Sequence, residues 1–227
     1  MPTFIVIGAA RSGTTALYTY LKQHPEIYMS PSKEPNFFAF EGEQLDYQGS
    51  GANFVNNAVT ELSVYQSLFE NANDERARGE ASPLYLYIPK APERIHHHVP
   101  KALLIAVLRN PIDQAYSHYL YARREVIEPL EDFVSALKAE EGRAQSNWMP
   151  MFQYSHFPRY YQQLSRYFSY FPADQIKLFL YEDFLNKPQH VLAEIFRFID
   201  VDDSFVPDLS YRPNAGGVPK SHFFQSV

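Results

Sequence analysis

Short apolar runs alternate with segments of helical periodicity along the chain. Residues 3–8 and 102–108 are continuously apolar, as strands covered on both faces of a sheet would be. Further strands are predicted at residues 77–81 and 176–181. Alternation of strands with helices is typical of an α/β domain with a mainly parallel central sheet.

Apolar residues at helical spacing predict the elements between these strands. Asn110 can cap one helix, with Pro111 at its first position. The polar, Gly- and Asn-rich residues 41–57 are expected to form a loop, and the chain is expected to be irregular from Asp200 onward. The predicted helices span residues 14–24, 59–71, 91–98, 111–124, 131–141, 158–171 and 188–199.

Length and composition narrow the class of protein. The 227 residues fit one domain, and a net charge of −6 disfavours a general nucleic-acid surface. Cysteine is absent, which excludes disulfides and thiolate chemistry. No apolar run approaches the length that spans a bilayer, and no targeting segment is recognised at the N-terminus. We therefore expect a soluble, cytoplasmic protein without a membrane span, of unknown oligomeric state.

A glycine- and hydroxyl-rich loop follows the first predicted strand and leads into the first predicted helix. Backbone N–H groups at such a helix N-terminus can hold an oxyanion. The spacing is close to the G-x4-G-K-[ST] loop of nucleotide triphosphatases, but Thr14 stands where that loop has lysine, and the cation is Arg11. The strand at residues 102–108 is followed by Arg109 and not by an acid, which disfavours phosphoryl transfer with Mg²⁺.

Four motifs in order resemble those of the sulfotransferases that use 3'-phosphoadenosine 5'-phosphosulfate (PAPS), above all the bacterial and heparan-sulfate-type branches. RSGTTAL at residues 11–17 resembles their 5'-phosphosulfate loop. SKEPNFF at 32–38, LRNP to AYS at 108–117 and LYEDF at 180–184 resemble further family segments. The resemblance covers most of the chain. It implies one P-loop-like α/β domain over residues 1–227, without a metal, that moves a sulfuryl group from PAPS to an acceptor hydroxyl and leaves adenosine 3',5'-bisphosphate.

The resemblance also implies which residues hold the donor. An arginine at the carboxyl end of a strand suits bidentate phosphate binding in an open α/β sheet. Arg109 and Ser117 are expected at the 3'-phosphate, Tyr181 at the adenine, and Lys220 in a tail loop that closes over the donor. The expected 5'-phosphosulfate loop residues are Arg11, Ser12, Gly13, Thr14, Thr15 and Ala16. Relatives usually continue with another helix, so a C-terminally shortened chain is one expectation.

The catalytic residues follow from the same match. Glu34 is expected to take the acceptor proton, and Arg11 to stabilise the transferring group. Lys33 is expected either to steady the sulfuryl group or to be solvated. His118 is the alternative base, although packing beside Tyr121 or facing solvent is the favoured interpretation.

The identity of the acceptor is left open. It is expected to be a small molecule or a glycan, with the acceptor hydroxyl on a carbohydrate, a lipid or a polyketide-type metabolite. Ala81 stands where heparan-type relatives often have lysine, which argues against a polyanionic acceptor. Trp148 is the best single candidate for an acceptor contact. The histidines at residues 96–98 point in different directions on a helix and do not converge on one ion, so no metal is expected. The alternatives kept are a P-loop kinase or nucleotide hydrolase, and a non-catalytic nucleotide-binding module of the same fold.

Overall fold

A computed structural model describes residues 1–210 of the chain, so the expectation for Lys220 lies outside the described residues. The domain is built on one five-stranded, all-parallel sheet with the strand order β2-β3-β1-β4-β5. The strands are β1 (Phe4–Gly8), β2 (Ile27–Met29), β3 (Ala77–Ala81), β4 (Leu103–Leu108) and β5 (Ile176–Leu180). The prediction of a single α/β domain with a parallel sheet flanked by helices is confirmed.

Helices cover both faces of this sheet. Three short 3₁₀ turns lie at Pro83–Leu86, Pro150–Phe152 and Ala173–Gln175. The α-helices are α1 (Thr14–Leu21), α2 (Phe37–Phe40), α3 (Asn53–Asn56), α4 (Leu62–Ser67), α5 (Ala91–His98), α6 (Pro111–Arg124), α7 (Phe133–Lys138), α8 (Glu140–Gln145), α9 (Tyr160–Phe168), α10 (Tyr181–Asn186) and α11 (Pro188–Phe198). Among the described helices, none is long and apolar enough to cross a membrane.

The central strand β1 is apolar throughout because both of its faces are covered. Ile5 and Ile7 pack into the core on one face, and Phe4 and Val6 pack into the core on the other. All four side chains are fully buried. The continuous apolar run that predicted this strand is thus explained by its position in the middle of a parallel sheet.

Several elements differ from the predictions at points where a distant contact decides the local structure. The prediction of one continuous helix over residues 131–141 is wrong, because α7 ends at Lys138 and a separate helix, α8, begins at Glu140. The carboxylate of Glu140 accepts hydrogen bonds from Ser155. The predicted helix 59–71 is shorter, and the expected loop 41–57 contains the single turn α3. Strand β2 was not predicted. It has three residues and lies at an edge, which leaves little periodicity to detect.

The strand order places two loops at one end of the sheet. β1 lies between β3 and β4, so the chain after β1 and the chain after β4 leave the sheet side by side at the carboxyl ends. In open α/β sheets, ligands bind in the crevice at such a point. The loop that contains Arg11 and the segment that begins with Arg109 are therefore neighbours, although 98 residues separate them.

Candidate functional site

A cleft of about 570 Å³ opens at the carboxyl ends of β1 and β4. It collects the predicted donor residues from three separate parts of the chain. From the loop after β1 and the start of α1, the lining residues are Arg11, Gly13, Thr14, Thr15 and Ala16. From the segments after β4 and β5, they are Arg109, Ser117 and Tyr181.

The loop after β1 adopts a backbone path that needs glycine at residue 13. Gly13 has φ 82°, and a Cβ added there would lie 3.1 Å from Cε2 of Tyr181. Arg11 also has a positive φ of 63°, which is uncommon for a residue with a side chain. The loop then enters α1, whose first N–H groups have no acceptor within the helix and can face an anion.

The segment after β4 holds this loop in place. Nη1 of Arg109 donates a hydrogen bond to the carbonyl of Arg11 at 3.1 Å, and its guanidinium lies 4.8 Å from the ring centroid of Tyr181. Nε2 of Gln114 donates to the carbonyl of Ala10 at 3.0 Å. Gln114 was not predicted. The available signal was an amide side chain on the buried face of α6.

The prediction for Ser12 is not supported by its position. The side chain is fully buried and does not line the cleft. Its N–H donates to the carbonyl of Ala9 at 3.2 Å. The tight turn that presents Arg11 to the cleft directs Ser12 into the protein.

The guanidinium of Arg11 lies in the cleft against an aromatic ring. Its Cζ is 4.5 Å from the ring centroid of Tyr121, and the guanidinium of Arg124 is 5.3 Å from the same ring. Burial, followed by the nearby charge of Arg124, lowers the pKa of Arg11. Its buried Nε has no hydrogen-bond partner among residues 1–210. An anion in the cleft would relieve both the repulsion and the unsatisfied donor.

Glu34 reaches the cleft from a strained loop. Glu34 and Asn36 both have positive φ angles, 60° and 56°. The N–H of Glu34 donates to the carbonyl of Ala81 at 3.0 Å, and the N–H of Asn36 donates to Oγ of Ser82 at 3.2 Å. Backbone strain of this kind persists when the surroundings fix it, and it often occurs at functional sites.

Lys33 lies beside the candidate base and outside the cleft. Its Nζ forms an ion pair with Oε1 of Glu34, its side chain is mostly buried, and it does not line the cleft. Both expected roles of Lys33 stay predictions. The ammonium lies beside the carboxylate of the candidate base.

A fully buried carboxyl group supports the Glu34 loop from behind. Glu80 accepts hydrogen bonds from the hydroxyl of Tyr65 at 3.1 Å and from Oγ of Ser82 at 2.8 Å. Burial raises the pKa of Glu80 to about 7, although hydrogen bonds from neighbouring hydroxyls oppose this shift. Ser82 in turn accepts from Asn36, so Glu80 is linked to the loop through one hydroxyl. No local feature of the sequence singled out this residue.

His118 lines the cleft but is buried within an aromatic cluster. Its ring lies 4.7 Å from that of Phe157 and 5.7 Å from that of Tyr154, so the expected exposure to solvent is wrong, whereas a packing role agrees with its burial. Burial, with the charge of Arg11 second, lowers the pKa of His118 to about 3. The imidazole is therefore neutral at physiological pH.

The expectation for Trp148 is also wrong. Its ring lies over the guanidinium of Arg143 at 5.0 Å and against Phe152, away from the residues that line the cleft. Within residues 1–210, no group of three or more His, Cys, Asp or Glu side chains is placed to share a metal ion.

Comparisons with known proteins agree with this architecture. A solved structure, the sulfotransferase from Alicyclobacillus acidocaldarius, superposes with a TM-score of 0.87 at 35% identity, covering 93% of this chain and 85% of that chain. The membrane-associated sulfotransferase kil1 of Dictyostelium discoideum is 22% identical over 279 residues, covering 89% of this chain and 56% of that protein. The human bifunctional heparan sulfate N-deacetylase/N-sulfotransferase 3 is 29% identical over 205 residues, covering 88% and 22%.

The chain thus spans about half or less of the length of these curated relatives. The family comparison nevertheless reaches almost the whole described domain. The sequence model described as "Sulfotransferase family" matches residues 2–205, which include every strand and both arginine-bearing segments of the cleft. On this match, and on the likeness to the bacterial sulfotransferase structure, the chain belongs to the sulfotransferase family.

Proposed function

We propose that the protein transfers a sulfuryl group from PAPS to an acceptor hydroxyl and releases adenosine 3',5'-bisphosphate. The observation that carries this proposal is the meeting of two cationic segments in one cleft, Arg11 on the loop after β1 and Arg109 after β4. PAPS carries anionic groups on both sides of its ribose, and it therefore needs two such sites. Family membership supplies the reaction class.

The residues present fit the donor. The unsatisfied Nε of Arg11 and the N-terminus of α1 suit the 5'-phosphosulfate. Arg109 and Ser117 line the same cleft and suit the 3'-phosphate, and Tyr181, which also lines it, suits the adenine. Arg109 also donates to the carbonyl of Arg11, so one hydrogen bond joins the two segments.

The proposed catalysis needs a base for the acceptor proton and a cation for the negative charge that develops on the leaving group. When bound, PAPS supplies the sulfuryl group and a phosphate leaving group, so the acceptor oxygen forms the new S–O bond as the old one breaks. Glu34 takes the acceptor proton, and Arg11 balances negative charge at the leaving side. Lys33 forms an ion pair with the carboxylate of Glu34 and lies outside the cleft. His118 is a weaker base for this role, since its lowered pKa disfavours proton uptake.

Two features weigh against a kinase or nucleotide hydrolase. Thr14 stands where such enzymes need lysine, and β4 is followed by Arg109 and not by a carboxylate for Mg²⁺. The acceptor is a small molecule or a glycan; the name of one relative includes heparan sulfate, which is a glycan.

Titration calorimetry tests the donor site. We expect adenosine 3',5'-bisphosphate to bind without metal and more tightly than ATP with Mg²⁺. Arg109→Ala should weaken that binding at least tenfold, about 1.4 kcal/mol. Arg76→Ala is the matched control, since Arg76 forms an exposed ion pair with Asp200 and neither residue lines the cleft. Preference for ATP with Mg²⁺ would overturn the proposal.

A second variant tests the base. Glu34→Gln keeps the size of the side chain and the backbone hydrogen bond to Ala81 but removes the proton acceptor. We expect kcat to fall at least about 100-fold with donor affinity unchanged. Unchanged turnover would transfer the role to another group, with His118 next to be tested. Donor binding with no product from any acceptor would instead favour a non-catalytic module.

A further inference from the structure

One half of the cleft is not accounted for by the donor residues. Its walls come from α3, from the turn Pro83–Leu86, from the middle of α6 and from residues 150–157. We call it the acceptor wall, and its apolar members are Phe54, Val55, Leu84, Leu120, Met151 and Phe157. The side chains belong to four segments that are distant in sequence, so the surface exists only in the folded protein.

The acceptor wall is held firmly by contacts behind it. The ring of Phe157 stacks on Tyr87 with centroids 4.2 Å apart and planes 4° apart, and its carbonyl accepts from Nε2 of Gln163 at 2.9 Å. The chain after Met151 is anchored where the N–H of Ser155 donates to the buried carboxylate of Glu140 at 2.8 Å. A surface fixed in this way offers a ligand apolar contact without an ordering cost.

Charged side chains of both signs line the cleft before the donor arrives, and Lys33 pairs with Glu34 from outside it. Arg124 pairs with Glu125, its Nη2 3.1 Å from Oε1, and no lysine among residues 1–210 lines the cleft. The charged lining residues are Arg11, Arg109, Arg124, Glu34, Asp113 and Glu125. An anionic donor on Arg11 and Arg109 leaves this cleft net negative, so a carboxylated or sulfated acceptor would be repelled.

We propose that the acceptor is an uncharged alcohol with an apolar carbon body, seated on the acceptor wall with its hydroxyl at Glu34, and not an acidic glycan. This inference rests on the proposed sulfuryl transfer and adds the substrate class. The cleft volume of about 570 Å³ lies in the range for small-molecule sites and is shared with the donor. Phe54, 52% exposed, offers the first apolar contact to an entering acceptor.

The test compares an uncharged apolar alcohol with its carboxylated analogue and with an acidic oligosaccharide. Initial rates of adenosine 3',5'-bisphosphate release from PAPS are measured with naphthol, with hydroxynaphthoic acid and with an unsulfated heparosan oligosaccharide. We expect kcat/KM for naphthol to exceed both others at least about tenfold. Phe54→Ala should raise KM for naphthol about tenfold with nucleotide affinity unchanged. Phe168→Ala is the matched control, because Phe168 is 46% exposed and outside the cleft.

The possible results distinguish a failure of this inference from a failure of the proposed sulfuryl transfer on which it rests. Equal or better transfer to the carboxylated compound or the oligosaccharide would overturn the inference and leave sulfuryl transfer standing. An unchanged KM in Phe54→Ala would remove the acceptor wall as the seat of the substrate. If the nucleotide binds and none of the acceptors is sulfated, the proposed function itself fails, and the inference fails with it.

Discussion

The Glu128→Gln variant perturbs the ion pair that anchors the segment leading to the acceptor wall. The carboxylate of Glu128 is fully buried and receives both Nη atoms of Arg143 at 2.7 Å, the hydroxyl of Tyr154 at 2.7 Å and the N–H of Leu130 at 2.8 Å. All of its acceptor capacity is therefore engaged within the protein. Glutamine keeps the shape but leaves the guanidinium of Arg143 without a counter-charge.

We expect this substitution to lower the free energy of unfolding by about 3–5 kcal/mol, as for one partner removed from a buried pair. The expected loss depends on pH. Burial alone would raise the pKa of Glu128, but the hydrogen bonds from Arg143, Leu130 and Tyr154 outweigh it and hold the pKa below its ordinary value. A lowered folded pKa stabilises the protein above the unfolded value, and this contribution is lost as pH falls.

Urea unfolding at neutral and acidic pH measures both effects. Far-UV circular dichroism follows the whole domain, and fluorescence of Trp148, the only tryptophan, follows the pair directly because its ring covers Arg143. Glu194→Gln is the matched control. Its partners Lys177 and His190 are partly exposed, so the expected loss is below about 1 kcal/mol. A loss below about 1 kcal/mol in Glu128→Gln, or one that is the same at acidic pH, would refute the reasoning.

Two further variants test the loops at the cleft. Gly13→Ala places a Cβ 3.1 Å from Tyr181 at a φ of 82°, so we expect a loss of about 1–2 kcal/mol in urea unfolding and weaker nucleotide binding by calorimetry. The control Gly142→Ala lies inside α8 with no atom within 4 Å of its added Cβ, so nucleotide binding should be unchanged and the free energy of unfolding should stay the same or rise by up to about 1 kcal/mol. The pKa of Glu80 is about 7 in the folded protein and near its ordinary value of 4.5 in the unfolded chain. Because the folded state holds this proton more tightly, the free energy of unfolding should fall by up to about 3 kcal/mol as pH rises from about 4.5 to about 7. Glu80→Gln should remove that dependence, and an equal slope in both proteins would show that Glu80 does not titrate.

Much of the fold could be predicted because its signals are local. β4 is a continuous apolar run, and α6 begins where Asn110 caps it and Pro111 opens it; the side chain of Asn110 accepts from the N–H groups of Ile112 and Asp113. The loop from Arg11 to Thr15 was recognised from glycine, hydroxyl and cation spacing alone. The parallel arrangement then followed from the alternation of strands and helices.

Other features could not be predicted because they depend on pairings between distant segments. Nothing local shows that Glu80 supports the Glu34 loop through Ser82, or that Gln114 holds the carbonyl of Ala10. Trp148 was misread for the same reason, since an aromatic residue in a polar segment has no visible partner until Arg143 lies beneath it. Which carboxylate faces solvent and which is buried is set by packing and not by neighbours in sequence.

The most direct test of the account is the stoichiometry of sulfuryl transfer from PAPS. The purified protein is incubated with PAPS and naphthol in the presence of a metal chelator, and mass spectrometry quantifies the sulfated product and adenosine 3',5'-bisphosphate over time. The account predicts equal amounts of both, formed with the chelator present and reduced at least about 100-fold in Glu34→Gln. Nucleotide release without sulfated product, or turnover that requires a divalent metal, would contradict it.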